Sequence, residues 1–196
     1  MKTQQIFATY NHTTAERRET HRFCSACGAE CIAKLSGGKF RKACPTCGVI
    51  YYQNPLPGVA ILIVNNDKLL LCRRAQGRFE GGRWCLPCGF IEFDEDYLTA
   101  AIRETKEETG LDIKIHSLLS VTSNFFSEKL HTLVVVLLAE RVGGSARGGD
   151  DIDQVQWFQF DEDLPDLAFE GDRHIIERYY RTTLKGAPVD PDYITI

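Results

Sequence analysis

The chain has 196 residues, of which 43% are hydrophobic and 26% charged, and its formal net charge is −4. This balance is typical of a folded globular protein and excludes a collagen-like, coiled-coil or low-complexity chain. No stretch approaches the roughly 20 apolar residues of a membrane helix, and residues 1–20 lack the apolar core of a signal peptide, so we expect a cytoplasmic protein without a membrane partner.

Basic residues are concentrated towards the N-terminus. Residues 1–50 contain eight Lys or Arg and three Asp or Glu, whereas residues 51–196 contain fifteen and twenty-four. Opposite charge in the two parts indicates two modules. We predict, in chain order, an N-terminal arm (1–21) with a short helix at Thr14–Thr20, a cysteine-rich module (22–50), a linker (51–57), a main domain (58–184) and a C-terminal tail (185–196).

The cysteine-rich module contains two CxxC pairs, Cys24 with Cys27 and Cys44 with Cys47, separated by sixteen residues. Each pair is followed by a glycine, which permits the positive φ of a metal-binding knuckle. Four thiolates at this spacing predict a closed, tetrahedral Zn²⁺ site that is structural, since no position is left open for water. Cys31, between the pairs, is predicted to be a small buried filler rather than a ligand.

A small zinc ribbon of this kind binds nucleic acid in some proteins and only braces a domain or a dimer in others. Phe40-Arg41-Lys42 is the one place in the module where aromatic and basic residues alternate closely. This is sparse for a nucleic-acid surface, so we do not expect nucleic acid as a partner.

The main domain is predicted as strands at 58–65 and 68–74, joined by an Asn66-Asp67 hairpin turn, followed by a short strand at Trp84–Leu86 that Pro87 ends. A helix is predicted from Asp96 to Thr109 with Gly110 as its cap. Further predictions are strands at 111–121, 131–140 and 153–160, a flexible loop at 143–151 and a helix at 169–184. This order predicts an α/β protein, an α/β/α sandwich around a mixed β-sheet.

The predicted helix places Glu104, Glu107 and Glu108 together, roughly 115° from its apolar stripe. Like charges at this spacing repel by a few tenths of a kcal/mol per pair. Divalent cations such as Mg²⁺ or Mn²⁺ would neutralise them and bridge them to substrate phosphates. The alternative is an ordinary solvated acidic face.

A longer pattern surrounds these glutamates. Five residues separate Gly89 from Glu95, seven more lead to Arg103-Glu104, and Glu107-Glu108 and Gly110 follow. This spacing resembles the Nudix box, except that Thr105 stands where an aliphatic residue is usual. With the cysteine-rich module and the lead-in Trp84–Pro87, the chain resembles the Nudix hydrolases that carry an N-terminal zinc ribbon, a subgroup that includes NADH, FAD and ADP-ribose pyrophosphatases.

The resemblance implies a Nudix-type sandwich preceded by a zinc ribbon, which hydrolyses the pyrophosphate of a nucleoside diphosphate linked to another moiety. The partner would be a small-molecule dinucleotide or nucleoside diphosphate derivative, the cofactor would be Mg²⁺ or Mn²⁺, and the protein would be a homodimer. Position by position, Glu104, Glu107, Glu108, Arg103 and Glu95 would be catalytic, Glu104, Glu107, Glu108 and Glu92 metal ligands, and Arg103 the partner of a box glutamate. The general base stays open among Glu108, Asp150 and Asp151.

Substrate contacts are predicted less directly. Arg73 and Arg83 are candidates for phosphate or ribose binding, with solvated edge charges as the alternative, and Gly89 is assigned to the same role. Cys88 departs from the glycine that is usual before the box and adds a side chain beside the expected phosphate path.

The NADH-specific members carry a proline-rich signature after the box. Ser123–His131 has no proline, which favours ADP-ribose or FAD over NADH. The alternative function is a non-catalytic nucleotide- or nucleic-acid-binding sensor on the same fold.

Overall fold

The computed structural model describes residues 3–13, 21–160 and 163–190, so the helix predicted at Thr14–Thr20 lies outside the described residues. The chain divides into a larger unit (Met1–Phe7, Leu56–Asn124, Thr132–Ile196) and a ribbon unit (Ala8–Pro55, Phe125–His131). The helices are α1 (Tyr97–Thr109) and α2 (Glu170–Thr182). The strands are β1 (Ile6–Ala8), β2 (Ile32–Ser36), β3 (Lys39–Ala43), β4 (Leu56–Asn65), β5 (Lys68–Arg74), β6 (Trp84–Cys85), β7 (Cys88–Phe90), β8 (Leu111–Ser127), β9 (Leu130–Gly144), β10 (Ile152–Gln159) and β11 (Ala187–Pro188).

One nine-stranded sheet dominates the fold. Its main path runs β1-β8-β9-β4-β5-β10, with β7 paired to β4, β6 to β5 and β11 to β8. β4 and β9 are parallel, whereas β4–β5 and β5–β10 are antiparallel. The predicted mixed sheet is therefore confirmed, and the Asn66-Asp67 turn joins β4 to β5 with positive φ at both residues.

The central strand β4 is buried on both faces. Successive side chains of a strand point to opposite faces. Val59, Ile61 and Ile63 belong to a core cluster that includes buried residues of α1, whereas Ala60 and Leu62 belong to a cluster that includes buried residues of α2. The two helices therefore cover opposite faces of the sheet, which confirms the α/β/α sandwich.

The hairpin strands β8 and β9 are longer than predicted. β8 extends to Ser127 rather than Val121, and β9 includes Gly143 and Gly144, which were assigned to a loop. The residues near the hairpin end are polar, so the hydrophobic pattern of the sequence did not indicate that the strands continue there. The Asn124 amide donates to the Thr132 hydroxyl at 3.1 Å, so these buried side chains satisfy one another.

The strand predicted at Trp84–Leu86 ends one residue earlier. Pro87 has no N–H for a ladder hydrogen bond, but the chain resumes at once as β7, which pairs Gly89 with Val59. β4 begins at Leu56, two residues before its predicted start. Among the described residues, neither helix has the length and apolar character needed to cross a membrane.

Candidate active site and metal centre

Helix α1 ends at Thr109 as predicted and begins at Tyr97, one residue after the predicted start, because Asp96 is its N-terminal cap. The Asp96 carboxylate accepts hydrogen bonds from the backbone N–H groups of Leu98 and Thr99 at 2.8 and 3.1 Å, which satisfies donors that have no partner within the helix. Gly110 closes the helix with φ 70°, and its N–H donates to the Lys106 carbonyl. These two caps fix where the three glutamates of the last two turns lie.

The three glutamates do not share one solvated face, which counts against the alternative of an ordinary solvated acidic face. Glu108 is 2% exposed, and its carboxylate accepts a hydrogen bond from the Cys88 N–H at 2.9 Å. The Glu104 side chain is 12% exposed and that of Glu107 is 51% exposed. Burial raises the pKa of Glu108 well above its ordinary value, and burial also raises the pKa of Glu104. The angular position of a residue on the helix does not show that β7 lies beside this part of the helix and buries Glu108.

Gly89 lies directly beneath the Glu104 carboxylate. A Cβ built at Gly89 would stand 2.0 Å from the Glu104 carboxyl carbon and 2.1 Å from its Oε1. No side chain fits there unless Glu104 moves. The glycine assigned by sequence to substrate binding therefore has a nearer structural role, which is to leave space for a carboxylate.

Arg103 connects four groups of the site. Its guanidinium donates to Glu95 at 3.0 Å through Nε, to Glu104 at 2.9 Å, to Glu107 at 3.0 Å and to the Phe90 carbonyl at 3.1 Å. The hydrogen bonds from Arg103 lower the pKa of Glu95. One cation thus neutralises part of a cluster of carboxylates and holds β7 against α1.

The glutamates offer oxygen atoms of the kind that a hard divalent cation binds, although they do not form a closed cage. Among the described residues, the ligand atoms of Glu104, Glu107 and Glu108 do not all come within 4.8 Å of one another. Arg103 pairs with two of them. The donor set consists of carboxylate oxygens alone, which is the chemistry of a divalent cation of the Mg²⁺ class.

Glu92 is exposed, and it contacts Glu95 through its backbone rather than through its carboxylate. Its N–H donates to Glu95 Oε1 at 2.9 Å. Among the described residues, its carboxylate is not part of a cluster of side chains close enough together to hold a metal ion.

The candidate substrate-binding arginines are already paired with carboxylates. Arg73 donates to Asp153 at 2.8 Å, and Arg83 contacts Asp166 through two nitrogens, both at 3.0 Å. Neither has a hydrogen bond or ion pair with a glutamate of α1 in the part of the chain that the structure describes.

The candidate bases on the loop before β10 differ in their surroundings. Asp151 accepts from Arg74 at 2.7 Å, and both side chains of this pair are largely buried. Asp150 is exposed, with φ 49°. Asp151 is therefore committed to an ion pair.

The cysteines of the two CxxC pairs converge in the ribbon unit. The sulfurs of Cys24 and Cys47 are 3.5 Å apart and those of Cys27 and Cys44 are 3.4 Å apart. All four lie within 4.8 Å of one another. The two glycines that follow the pairs have φ 73° and 79°, as the knuckle prediction requires. The cluster can hold one metal ion.

Tyr51 was missed as a member of this centre because the sequence assigned it to the linker. Its hydroxyl donates to the Cys24 sulfur at 3.3 Å and accepts from the Ser25 N–H at 2.8 Å. The hydrogen bond from Tyr51 lowers the pKa of the Cys24 thiol to about 6. Cys31 is buried beside the cluster but is not one of its members, which agrees with its prediction as a filler.

The remaining cysteines belong to the larger unit. Cys72 and Cys85 are fully buried in one core cluster, with Cys88 packed against it. Burial raises the pKa of Cys72 well above its ordinary value. Of these three cysteines, Cys88 contacts the candidate site, because its backbone N–H donates to the Glu108 carboxylate.

Comparison with known proteins places the larger unit in one family. The sequence model of the NUDIX domain matches residues 54–179. An ADP-ribose pyrophosphatase of Methanocaldococcus jannaschii is 37% identical over 131 residues, which are 66% of this chain and 76% of the relative. The NAD-capped RNA hydrolase NudC of Stutzerimonas stutzeri is 32% identical over 87% of this chain, and the chain spans 60% of that relative's length.

A solved structure aligns with most of the chain. The crystal structure of a NUDIX hydrolase from Nitrosomonas europaea aligns with a TM-score of 0.73 and 31% identity, over 86% of this chain and 96% of that one. The likeness therefore extends beyond the region matched by the family model.

Proposed function

Because the chain belongs to the NUDIX domain family, we propose that it is a pyrophosphatase that hydrolyses a nucleoside diphosphate linked to another moiety. The observation that supports this most directly is the arrangement of the glutamates around Gly89 and Arg103. A glycine makes room for one carboxylate, a backbone N–H holds a second, and one guanidinium aligns the others. A merely solvated acidic face has no need of such positioning.

The cofactor in this proposal is Mg²⁺ or Mn²⁺, with Glu104, Glu107, Glu108 and Glu92 as its ligands. When bound, a divalent cation offsets charge on the pyrophosphate and lowers the pKa of the attacking water. Arg103 orients the glutamates, and Glu95 is held in turn by Arg103. The proton of the water passes to a carboxylate, for which Glu108 and Asp150 are better placed than Asp151, since Asp151 is paired with Arg74.

The second metal of the proposal is Zn²⁺, held by Cys24, Cys27, Cys44 and Cys47. Its role is structural, because four thiolates complete a tetrahedral site without an open position. We also retain the predictions of a cytoplasmic location and a homodimer, the latter to be checked by the mass of the purified protein in solution.

The substrate we favour is ADP-ribose. The archaeal relative is named an ADP-ribose pyrophosphatase, and the sequence favours ADP-ribose or FAD over NADH. The NudC relatives are named for NAD-capped RNA, so NAD-linked substrates belong in the same assay.

The test offers the purified chain ADP-ribose, FAD, NADH and an NAD-capped RNA, each with Mg²⁺ or Mn²⁺, and measures release of the nucleoside monophosphate by chromatography. Glu107→Gln removes one ligand charge and should lower kcat/KM by about a hundredfold, as losses around metal sites typically do. Glu177→Gln is the control, since it makes the same change on α2. Absence of turnover with all substrates, together with metal-independent nucleotide binding, would instead support the sensor.

A further inference from the structure

Three neighbouring backbone segments of the ribbon unit bring two cations and an aromatic ring into one row. In the β2–β3 hairpin, Lys34 lies directly opposite Arg41. An antiparallel bridge between Ala43 and Ile50 continues the pairing, and in that register Tyr52 is the neighbour of Arg41. The Arg41 guanidinium carbon is 4.9 Å from the centre of the Tyr52 ring, so the side chains meet as the register requires.

The row is rich in positive charge. Like charges directly opposite on a strand pair are destabilising, and Lys39 adds a third cation, since it is two residues from Arg41 and thus on the same face. Neither Lys34 nor Lys39 has a carboxylate within 4.0 Å in the described part of the chain. Residues 22–50 contain five basic residues and one acidic residue, and that acid, Glu30, lies 3.8 Å from Arg22. A Zn²⁺ ion held by four thiolates would add a net charge of about −2, which still leaves this stretch positive.

The aromatic member of the row is available for stacking. Tyr52 is 58% exposed, with Arg41 over its ring. Aromatic side chains beside a line of cations are the usual surface on which proteins bind unpaired bases and the phosphates between them. Phe40 of the sequence pattern pairs with Leu35 and lies next to Arg41 in the strand, so it is on the opposite face of the hairpin from this row.

We propose that this row, Lys34, Arg41 and Tyr52 together with Lys39, is a binding surface for single-stranded nucleic acid. The charge fits a polyanion, and the exposed ring selects one whose bases are unpaired. This inference revises our sequence-based expectation that nucleic acid is not a partner. It does not rest on the proposed hydrolysis.

The test measures fluorescence anisotropy of labelled ten-nucleotide strands with 5′-hydroxyl ends, which contain no pyrophosphate. RNA and DNA strands are compared, because both present unpaired bases and phosphates and the row could bind either one. Tyr52→Ala should weaken binding about tenfold, because stacking on an aromatic ring contributes roughly 1–3 kcal/mol per base. Tyr52→Phe should retain it. Lys34→Ala should weaken binding and lower the slope of log affinity against log salt by about 1.

The control is Lys114→Ala, which removes one exposed cation from β8 in the larger unit and should leave affinity unchanged. Zinc content is measured for every variant. If Tyr52→Ala loses zinc, the zinc-retaining Lys34→Ala decides the question. The proposal fails if the wild-type chain does not bind at low salt, if a blunt duplex or heparin binds as tightly as a single strand, or if Lys34→Ala binds normally. None of these outcomes bears on pyrophosphate hydrolysis.

Discussion

Glu104 and Gly89 illustrate how the site depends on single atoms. The carboxylate of Glu104 occupies the position that any other residue's Cβ would take at 89. Arg103 also donates to that carboxylate at 2.9 Å. The sequence assigned Gly89 to substrate binding, but here the close approach is made by the protein's own glutamate.

Gly89→Ala should therefore separate activity from stability. The atoms that a methyl group would meet are the far end of a flexible side chain, so Glu104 can swing away at a cost within about 1 kcal/mol of unfolding free energy. Its carboxylate would then leave its place, and we expect kcat/KM to fall by about a hundredfold. Steady-state kinetics and urea unfolding measure the two effects.

Gly171→Ala is the matched control for that variant. Gly171 lies in α2, and the nearest atom to its added Cβ would be 3.6 Å away, so alanine should keep full activity and stabilise the chain slightly. Full activity of Gly89→Ala would show that the position of the Glu104 carboxylate is not needed for turnover.

At the scale of an element, the limits of α1 were the most predictable part of the molecule, whereas the burial of its individual side chains was not predictable. Its ends followed from local chemistry, an Asp cap and a glycine with positive φ. Which of its sides is buried depends on strands distant in sequence. Thus Glu108 was read as part of an acidic face, whereas β7 covers it and Cys88 binds it.

Thr105 shows the same limit within α1. It was noted only as a departure from an aliphatic position, yet it is fully buried. Its hydroxyl has no hydrogen-bond partner among the described residues. We predict that Thr105→Val stabilises the chain by about 1–3 kcal/mol, because it removes a buried hydroxyl without a partner while keeping the shape. The free energy of unfolding in urea is the measurement.

Thr109→Val provides a control with the opposite expected sign. The Thr109 hydroxyl donates to the Thr105 carbonyl at 2.6 Å and accepts from the Leu111 N–H at 3.2 Å. Its loss leaves a backbone N–H in the core without that partner, so this variant should be less stable than the wild type. A Thr105→Val protein no more stable than the wild type would mean that the hydroxyl is satisfied in solution.

Other elements were predicted as far as local signals reach. Asn66-Asp67 gave the hairpin, because a turn is a contact between near neighbours. The CxxC spacing gave the metal cluster, because each knuckle is local and a shared metal ion explains why the two knuckles converge. β7 was missed because Pro87 suggested an end, and the far ends of β8 and β9 were missed because their buried polar residues satisfy each other across the hairpin. The arginine contacts could not be derived, since Arg73 and Arg83 pair with residues about 80 positions away.

On the scale of the whole molecule, the two units are stabilised by different means. The larger unit has two extensive apolar clusters, one on each face of the sheet. The core cluster of the ribbon unit consists of three buried cysteines, with Ala29 and Tyr51 packed against it. Two of those cysteines, Cys24 and Cys44, belong to the metal cluster, so apolar burial alone cannot hold this unit together.

Removing the metal should therefore unfold one unit and spare the other. After treatment with a strong chelator, we expect the backbone amides of residues 22–51 to lose their protection from hydrogen exchange. The reason is that a small module of this type obtains most of its folding free energy from binding its structural metal. The amides of β4, α1 and α2 should remain protected by their own cores. Cys44→Ser should have the same effect as the chelator, whereas Cys31→Ala should retain about one zinc per chain. If hydrogen exchange rose equally in both units, the sheet would depend on the metal as much as the ribbon does. If the amides of residues 22–51 stayed protected in metal-free protein, the two CxxC turns would fold without a metal ion.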